Sequence, residues 1–140
     1  MNGFLLDTNG ISELVKAAPD RNVVRWIDEA EEPILFLSVL TLGEIRNRID
    51  RLTLGRRRGR LESWFAIDLR LRFQNRILSI SDAIAERWGA LAAAAAKMGR
   101  PVPVVDGLLA ATALHHDLIL VTRNDAEVGG TGVPALNPWH

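Results

Sequence analysis

The chain contains no cysteine. Disulfides, thiolate metal sites and cysteine nucleophiles are thereby excluded. It has only three histidines; two are adjacent and one is C-terminal, a poor arrangement for zinc. No apolar run approaches the length of a bilayer-spanning helix. Met1 to Leu6 is apolar but short, and no basic segment precedes it. It reads as a buried strand rather than a signal. A cytoplasmic, soluble protein with no membrane partner is the expectation. Net charge is also missing: Lys+Arg and Asp+Glu each number 17. Bulk charge therefore argues neither for nor against nucleic acid, and only the placement of charges is informative. There is no internal repeat. A length of 140 residues fits one domain, 1–140, with one substantial core.

What the chain does have is a strand-like run, Phe4-Leu5-Leu6, that stops abruptly on Asp7. Small polar residues follow, and then a segment able to wind into a helix. Asp7 would sit at the carboxyl end of the first strand, the edge of an α/β sheet where ligands bind. A carboxylate there must be hydrated, paired or metal-bound. The competing role is simple capping of the next helix by Asp7 or Asn9.

The rest alternates strand and helix. Gly10 to Lys16 reads as a short helix. Asp20 or Asn22 caps a second, with Val23, Val24, Ile27 and Ala30 on one face. Ile34 to Val39 is an apolar strand. Thr41 reads as the next cap, with Glu44 at capping-box spacing, and Leu42, Ile45, Ile49 and Leu52 form a helical stripe closed by Gly55. Arg56-Arg57-Arg58 and Arg60 read as a basic turn. A helix follows over 61–73, with Leu61, Trp64, Phe65 and Leu69 inward. Arg76 to Ile80 is a short strand. Ser81 or Asp82 caps a helix whose stripe is Ile84, Trp88, Leu91, Ala95 and Met98, ended by Gly99. Gly107 to His115 is a very apolar helix opened by Asp106. Leu118 to Val121 is the last clear strand, Thr122 to Asp125 turns away from it, and Gly129, Gly130 and Gly132 make a loop. Val133 to Leu136 fits an edge strand. The pattern predicts an α/β fold with a mainly parallel central sheet covered by helices on both faces.

In such a sheet, the segments that follow successive strands gather on one edge. Asp7, Glu44, Asp106 and the cluster Asp125 and Glu127 all have that context. Two carboxylates at about 4 Å repel by roughly 4 kcal/mol at an effective dielectric near 20. A hard divalent cation removes that penalty. Mg²⁺ takes one or two carboxylates and keeps waters in its other positions, and Mn²⁺ suits the same oxygen set. Water on such a cation is a nucleophile able to attack a phosphodiester.

At this point the chain resembles a PIN domain, and more closely the VapC toxins of type II toxin–antitoxin pairs, of the FitB-like kind. The resemblance rests on Leu6-Asp7-Thr8-Asn9 with Ile11-Ser12-Glu13, on Gly43-Glu44-Ile45, on Val105-Asp106-Gly107-Leu108-Leu109-Ala110-Ala111-Thr112-Ala113, on Val121-Thr122-Arg123-Asn124, and on Asn137-Pro138-Trp139. These stretches run in family order from one end of the chain to the other. The resemblance implies an acidic pocket at the carboxyl edge of the sheet. It implies a Mg²⁺-dependent endoribonuclease, with Mn²⁺ as a substitute, neutralised by a cognate VapB-type antitoxin and usually a homodimer. By position, Asp7 and Asp106 match the principal metal ligands and Glu44 the third acid. At the fourth position the chain departs from the family, and Asn124, Asp125 and Glu127 compete for it, Asp125 being the catalytic candidate. Gly10 replaces the usual apolar residue.

Other residues carry alternatives. Thr8 or Asn9 orients Asp7 or a water. Glu44 either completes a capping box, pairs with Arg48 at i+4, or serves the site. Glu13 is a candidate supporting residue or part of a solvated face. Arg123, beside the end of the last strand, is the candidate phosphate contact. The arginines from Arg46 to Arg60 fit RNA, an acidic antitoxin surface, or plain solvent. Two other functions compete: an aspartyl-nucleophile phosphatase, disfavoured by Asn9 where a second acid is needed, and a catalytically silent domain that binds RNA or protein.

Overall fold

The computed structural model describes residues 2–140. Five strands, β1 (Phe4–Leu6), β2 (Leu35–Ser38), β3 (Ile77–Leu78), β4 (Ile119–Val121) and β5 (Ala135–Leu136), form one sheet in the order β3-β2-β1-β4-β5. Every pairing is parallel. Each crossover therefore carries helix, and the sheet is covered on both faces, as the alternation predicted.

The strand alternation sorts the core into two layers. Leu6 and Val121 point to one side, with Ile11, Ile27, Ile45, Ile49, Phe65 and Phe73. Leu5 and Leu120 point to the other, with Leu109, Ala110, Ala113 and Val128. The first layer packs α1 (Thr8–Glu13), α2 (Arg21–Glu29) and α3 (Val39–Asp50) against the sheet. The second packs α7 (Val104–His115) and α8 (Asp125–Val128), with α6 (Asp82–Lys97) lying on α7. Gly107 lets α6 and α7 approach closely, since a Cβ there would sit 3.0 Å from the Trp88 ring.

Several elements differ from the sequence reading. Asp7 itself caps α1, so that helix opens at Thr8 rather than Gly10. Asp20, not Asn22, caps α2. Ser38 accepts from the Leu40 N–H and caps α3 at 3.0 Å, so β2 ends sooner and Thr41 lies inside the helix. The Thr41–Glu44 capping box does not form. The α3 helix stops at Asp50, before Gly55. The arginine-rich stretch is not a turn but the start of α4 (Arg56–Ser63). Arginine is a good helix former, and Arg58 ties this segment down by donating to Glu62 at 2.7 Å and to the Leu52 carbonyl at 3.1 Å. A π-helical stretch, Trp64–Leu69, and a last turn, α5 (Arg70–Arg72), continue it. Ser81, not Asp82, caps α6. Met98 is 59% exposed and does not belong to the α6 stripe. Pro103 opens α7 three residues ahead of Asp106. The expected turn and glycine loop after β4 are α8 and a 3-10 turn, Gly129–Thr131.

Candidate metal and RNA site

Parallel register builds the site. Leu6 is paired with Val121, so Asp7 and Thr122 leave the sheet side by side at its carboxyl edge. Asp7 is buried, 5% exposed. Its Oδ1 accepts from the Gly10 N–H at 2.8 Å and its Oδ2 from the Thr122 hydroxyl at 2.7 Å. Capping and site placement are thus the same geometry. Burial pushes the Asp7 pKa up; the Gly10 and Thr122 hydrogen bonds oppose this, the Glu44 charge adds to it, and the Arg48 charge opposes it.

Glu44 reaches the same edge from α3. It accepts from the Thr8 hydroxyl at 2.5 Å, and that hydroxyl also lies 3.2 Å from Thr41 Oγ1. Thr8 therefore orients Glu44 rather than Asp7. Arg48 does not pair with Glu44. It donates to Ser12 Oγ at 3.0 Å and to Asn9 Oδ1 at 3.2 Å. Asn9 thus holds a cation beside the pocket instead of orienting Asp7.

Asp106 enters from the first turn of α7. Its pKa is pushed up to about 6, first by burial, then by a carboxyl–carboxyl hydrogen bond with Glu127 and that residue's charge, then by the charges of Asp7 and Glu44. Burial and a neighbouring carboxylate both favour the protonated form of Asp106. Asp7, Glu44, Asp106 and Glu127 therefore form one electrostatic cluster. The other fourth-position candidates turn elsewhere. Asp125 Oδ1 accepts from Asn137 Nδ2 at 3.1 Å. Asn124 contributes its backbone N–H to Thr122 Oγ1 at 3.0 Å.

The donor set is all oxygen, which suits Mg²⁺ or Mn²⁺. Among the described residues, no three acidic or imidazole side chains close into a ready ligand cage. Mg²⁺ does not need one, since one or two carboxylates with waters suffice. The crowding that raises Asp106 is what a cation would relieve, so the residues fit the ion.

One residue near the pocket went unread in the sequence. Thr122 was visible only as part of a motif, although parallel pairing of the first and last clear strands would have set it against Asp7. Glu13, which the sequence left open between a supporting role and a solvated face, is 2% exposed, which removes the solvated alternative. Its own burial raises its pKa, but hydrogen bonds from Lys16, the Asp20 N–H and Trp139 hold it below the usual value.

This combination, a parallel α/β sheet with carboxylates from separate segments near its carboxyl edge, is the arrangement expected of a PIN domain. Residues 4–128 match the PIN domain family, and the chain belongs to it. It is 33% identical over 136 residues to a VapC ribonuclease of Sinorhizobium fredii, covering 97% of each chain. It is 32% identical over 137 residues to the toxin FitB of Neisseria gonorrhoeae, covering 98% of this chain and 99% of FitB. The crystal structure of FitAcB from Neisseria gonorrhoeae superposes with a TM-score of 0.94 at 31% identity, over 98% of this chain and 99% of that one. The DNA-bound VapBC of Salmonella typhimurium shares the fold, at a TM-score of 0.81 and 23% identity over the whole of both chains.

Proposed function

We propose that this protein, a single PIN domain, is a metal-dependent endoribonuclease and the toxin of a toxin–antitoxin pair. One observation carries the reading: Asp7 after β1, Glu44 of α3, Asp106 of α7 and Glu127 of α8 converge near the carboxyl edge of the sheet, where burial and the neighbouring carboxylates push Asp106 up to about 6. Similarity along the whole chain to a VapC ribonuclease and to the toxin FitB supports it.

In this reading Asp7 and Asp106 hold Mg²⁺, or Mn²⁺ in its place, and Glu44 and Glu127 close the pocket, Glu127 filling the fourth position in preference to Asp125. When bound, the cation activates water and stabilises charge on the phosphate. The chain's own part is positioning. Gly10 and Thr122 fix the two oxygens of Asp7. Thr8 fixes Glu44. Arg48 supplies a nearby positive charge, and Arg123 contacts an RNA phosphate. A cognate antitoxin neutralises the activity, the protein pairs as a homodimer, and it acts in the cytoplasm; among the described residues no helix is long and apolar enough to cross a membrane. The rival, a catalytically silent binding domain, rested on doubt about the fourth acid. The nearness of Glu127 to Asp106 supplies a candidate for that acid.

The test is expression of the chain without a partner. Growth arrest is expected, relieved by Asp7→Asn, which keeps shape and loses charge. An Asp7→Asn protein that is folded, equally abundant and still fully toxic would overturn the assignment.

A further inference from the structure

We propose that Glu13 and Trp139 are positioning residues that hold Arg123 as a preformed contact for an RNA phosphate. This rests on the ribonuclease reading and extends it to the C-terminal tail.

A buried carboxylate requires partners. Glu13 takes them from four places: Lys16 Nζ at 2.7 Å, the Asp20 N–H at 2.9 Å, Trp139 Nε1 at 3.4 Å and Arg123 Nη2 at 3.7 Å. It thus joins α1, the start of α2, the tail and the segment after β4. The guanidinium of Arg123 lies over the Trp139 ring, 4.6 Å from its centroid. Its side chain remains 51% exposed.

The same tail grips the Arg123 backbone. Asn137 Nδ2 donates to the Arg123 carbonyl at 3.3 Å and to Asp125 Oδ1 at 3.1 Å. The Trp139 N–H returns to Asn137 Oδ1 at 3.0 Å, and Asn22 Nδ2 donates to the Trp139 carbonyl at 3.4 Å. The residue before Arg123 is Thr122, whose hydroxyl holds Asp7. Arg123 is therefore anchored one residue from the acidic pocket.

Three other arginines make a useful contrast. Arg48 uses its donors on Ser12 and Asn9, Arg58 on Glu62, Asp50 and Leu52, and Arg76 on Glu32, Leu35 and Arg72. Among the described residues, no protein acceptor takes a hydrogen bond from the Arg123 guanidinium. Its face is stacked and one nitrogen leans toward Glu13, while its remaining N–H edges stay open. A planar fork with open edges suits bidentate binding of a phosphate. Fixing it in advance removes part of the ordering cost of binding.

The experiment measures binding of a mixed-sequence, fluorescently labelled single-stranded RNA oligonucleotide to the full chain in EDTA, by anisotropy across a NaCl series. It is paired with Mg²⁺-dependent cleavage kinetics and a melting curve for each variant. Arg123→Ala should reduce the slope of log affinity against log salt by about 0.7, the value for one single-strand phosphate. Trp139→Leu keeps an apolar filler but removes the stack, and should reduce the slope as Arg123→Ala does. Trp139→Phe keeps a ring and should retain the wild-type slope. Glu13→Gln should raise KM several-fold with kcat within about twofold. A folded Trp139→Leu protein with the wild-type slope, or Glu13→Gln lowering kcat at constant KM, would overturn the proposal. An Arg123-dependent slope without any Mg²⁺-dependent cleavage would overturn the ribonuclease reading and leave the positioning claim standing. Cleavage with a slope indifferent to Arg123 would do the reverse.

Discussion

The Thr122 hydroxyl donates to Asp7 Oδ2 at 2.7 Å across 115 residues of sequence. Thr122 Oγ1 in turn accepts from the Asn124 N–H, so the hydroxyl's one proton is directed at the carboxylate. This bond fixes the buried acid and opposes the rise that burial imposes on its pKa. Partners that orient a metal ligand commonly contribute 10–100-fold in affinity or activity.

Thr122→Val should therefore weaken Mg²⁺ binding by roughly 10–100-fold while the shape of the residue is kept. A Mg²⁺ titration of RNA cleavage reads this directly. Equal half-saturation in wild type and variant would mean the hydroxyl serves only the turn.

Glu127→Gln and Asp125→Asn separate the two acids that follow β4. Residues two apart on a helix point about 200° from each other, and in α8 it is Glu127 that faces Asp106. Glu127→Gln should cut cleavage at limiting Mg²⁺ by about tenfold or more. Asp125→Asn should keep cleavage close to wild type, because its carboxylate partners Asn137. The opposite ranking would move Asp125 into the pocket.

That choice shows where sequence stops being informative. The acids after β1, after β2 and at the head of α7 were legible, because each stands where an apolar run breaks on a lone charge. The fourth was not, since the segment after β4 carries no helical periodicity and its four-residue helix decides which acid turns inward. Ser38 and Thr41 are both competent caps. The end of β2 selects Ser38, through pairing of Ser38 with Leu78 that local spacing does not reveal. The sequence left Glu13 open between a supporting role and a solvated face, because its partners Asp20, Arg123 and Trp139 lie outside its helix. The arginine run looked like a turn because charge without apolar spacing carries no face.

The arginines of α4 differ in what they do. Arg58 is tied to Glu62 and Asp50, whereas Arg57 and Arg60 line a groove beside Leu61 and Trp64. Arg57→Ser with Arg60→Ser should flatten the salt dependence of RNA binding, by about 0.7 for each phosphate those side chains neutralise. Arg58→Ser should instead lower stability by up to about 1 kcal/mol, the range of exposed ion pairs. An unchanged salt slope in the double variant would take this groove out of RNA binding.

The contribution of Asp106 to metal-free stability should fall as pH rises from about 4 to 6. The unfolded Asp106 titrates near its ordinary value of 3.8 and the folded one near 6. Between these values the native state holds the extra proton, so raising pH favours unfolding, and the loss is complete above about 6. The upward shift of Asp7 acts in the same direction. Urea melts in EDTA across this range should show the decline in wild type and a flatter profile in Asp106→Asn. Identical profiles would contradict the crowded-carboxylate description.

The most direct test of the central claim is a set of melting curves for wild type and Asp106→Asn, in EDTA and in Mg²⁺ at neutral pH, each paired with RNA cleavage. Metal bound only to the native state raises stability by mass action, by about 2.7 kcal/mol at a hundredfold excess over Kd. Wild type should gain such a shift and cleave RNA. Asp106→Asn should be at least as stable as wild type in EDTA, because a repelling charge is gone, yet gain little from Mg²⁺ and lose cleavage. An Asp106→Asn protein that is stabilised by Mg²⁺ like wild type and still cleaves RNA would contradict the account.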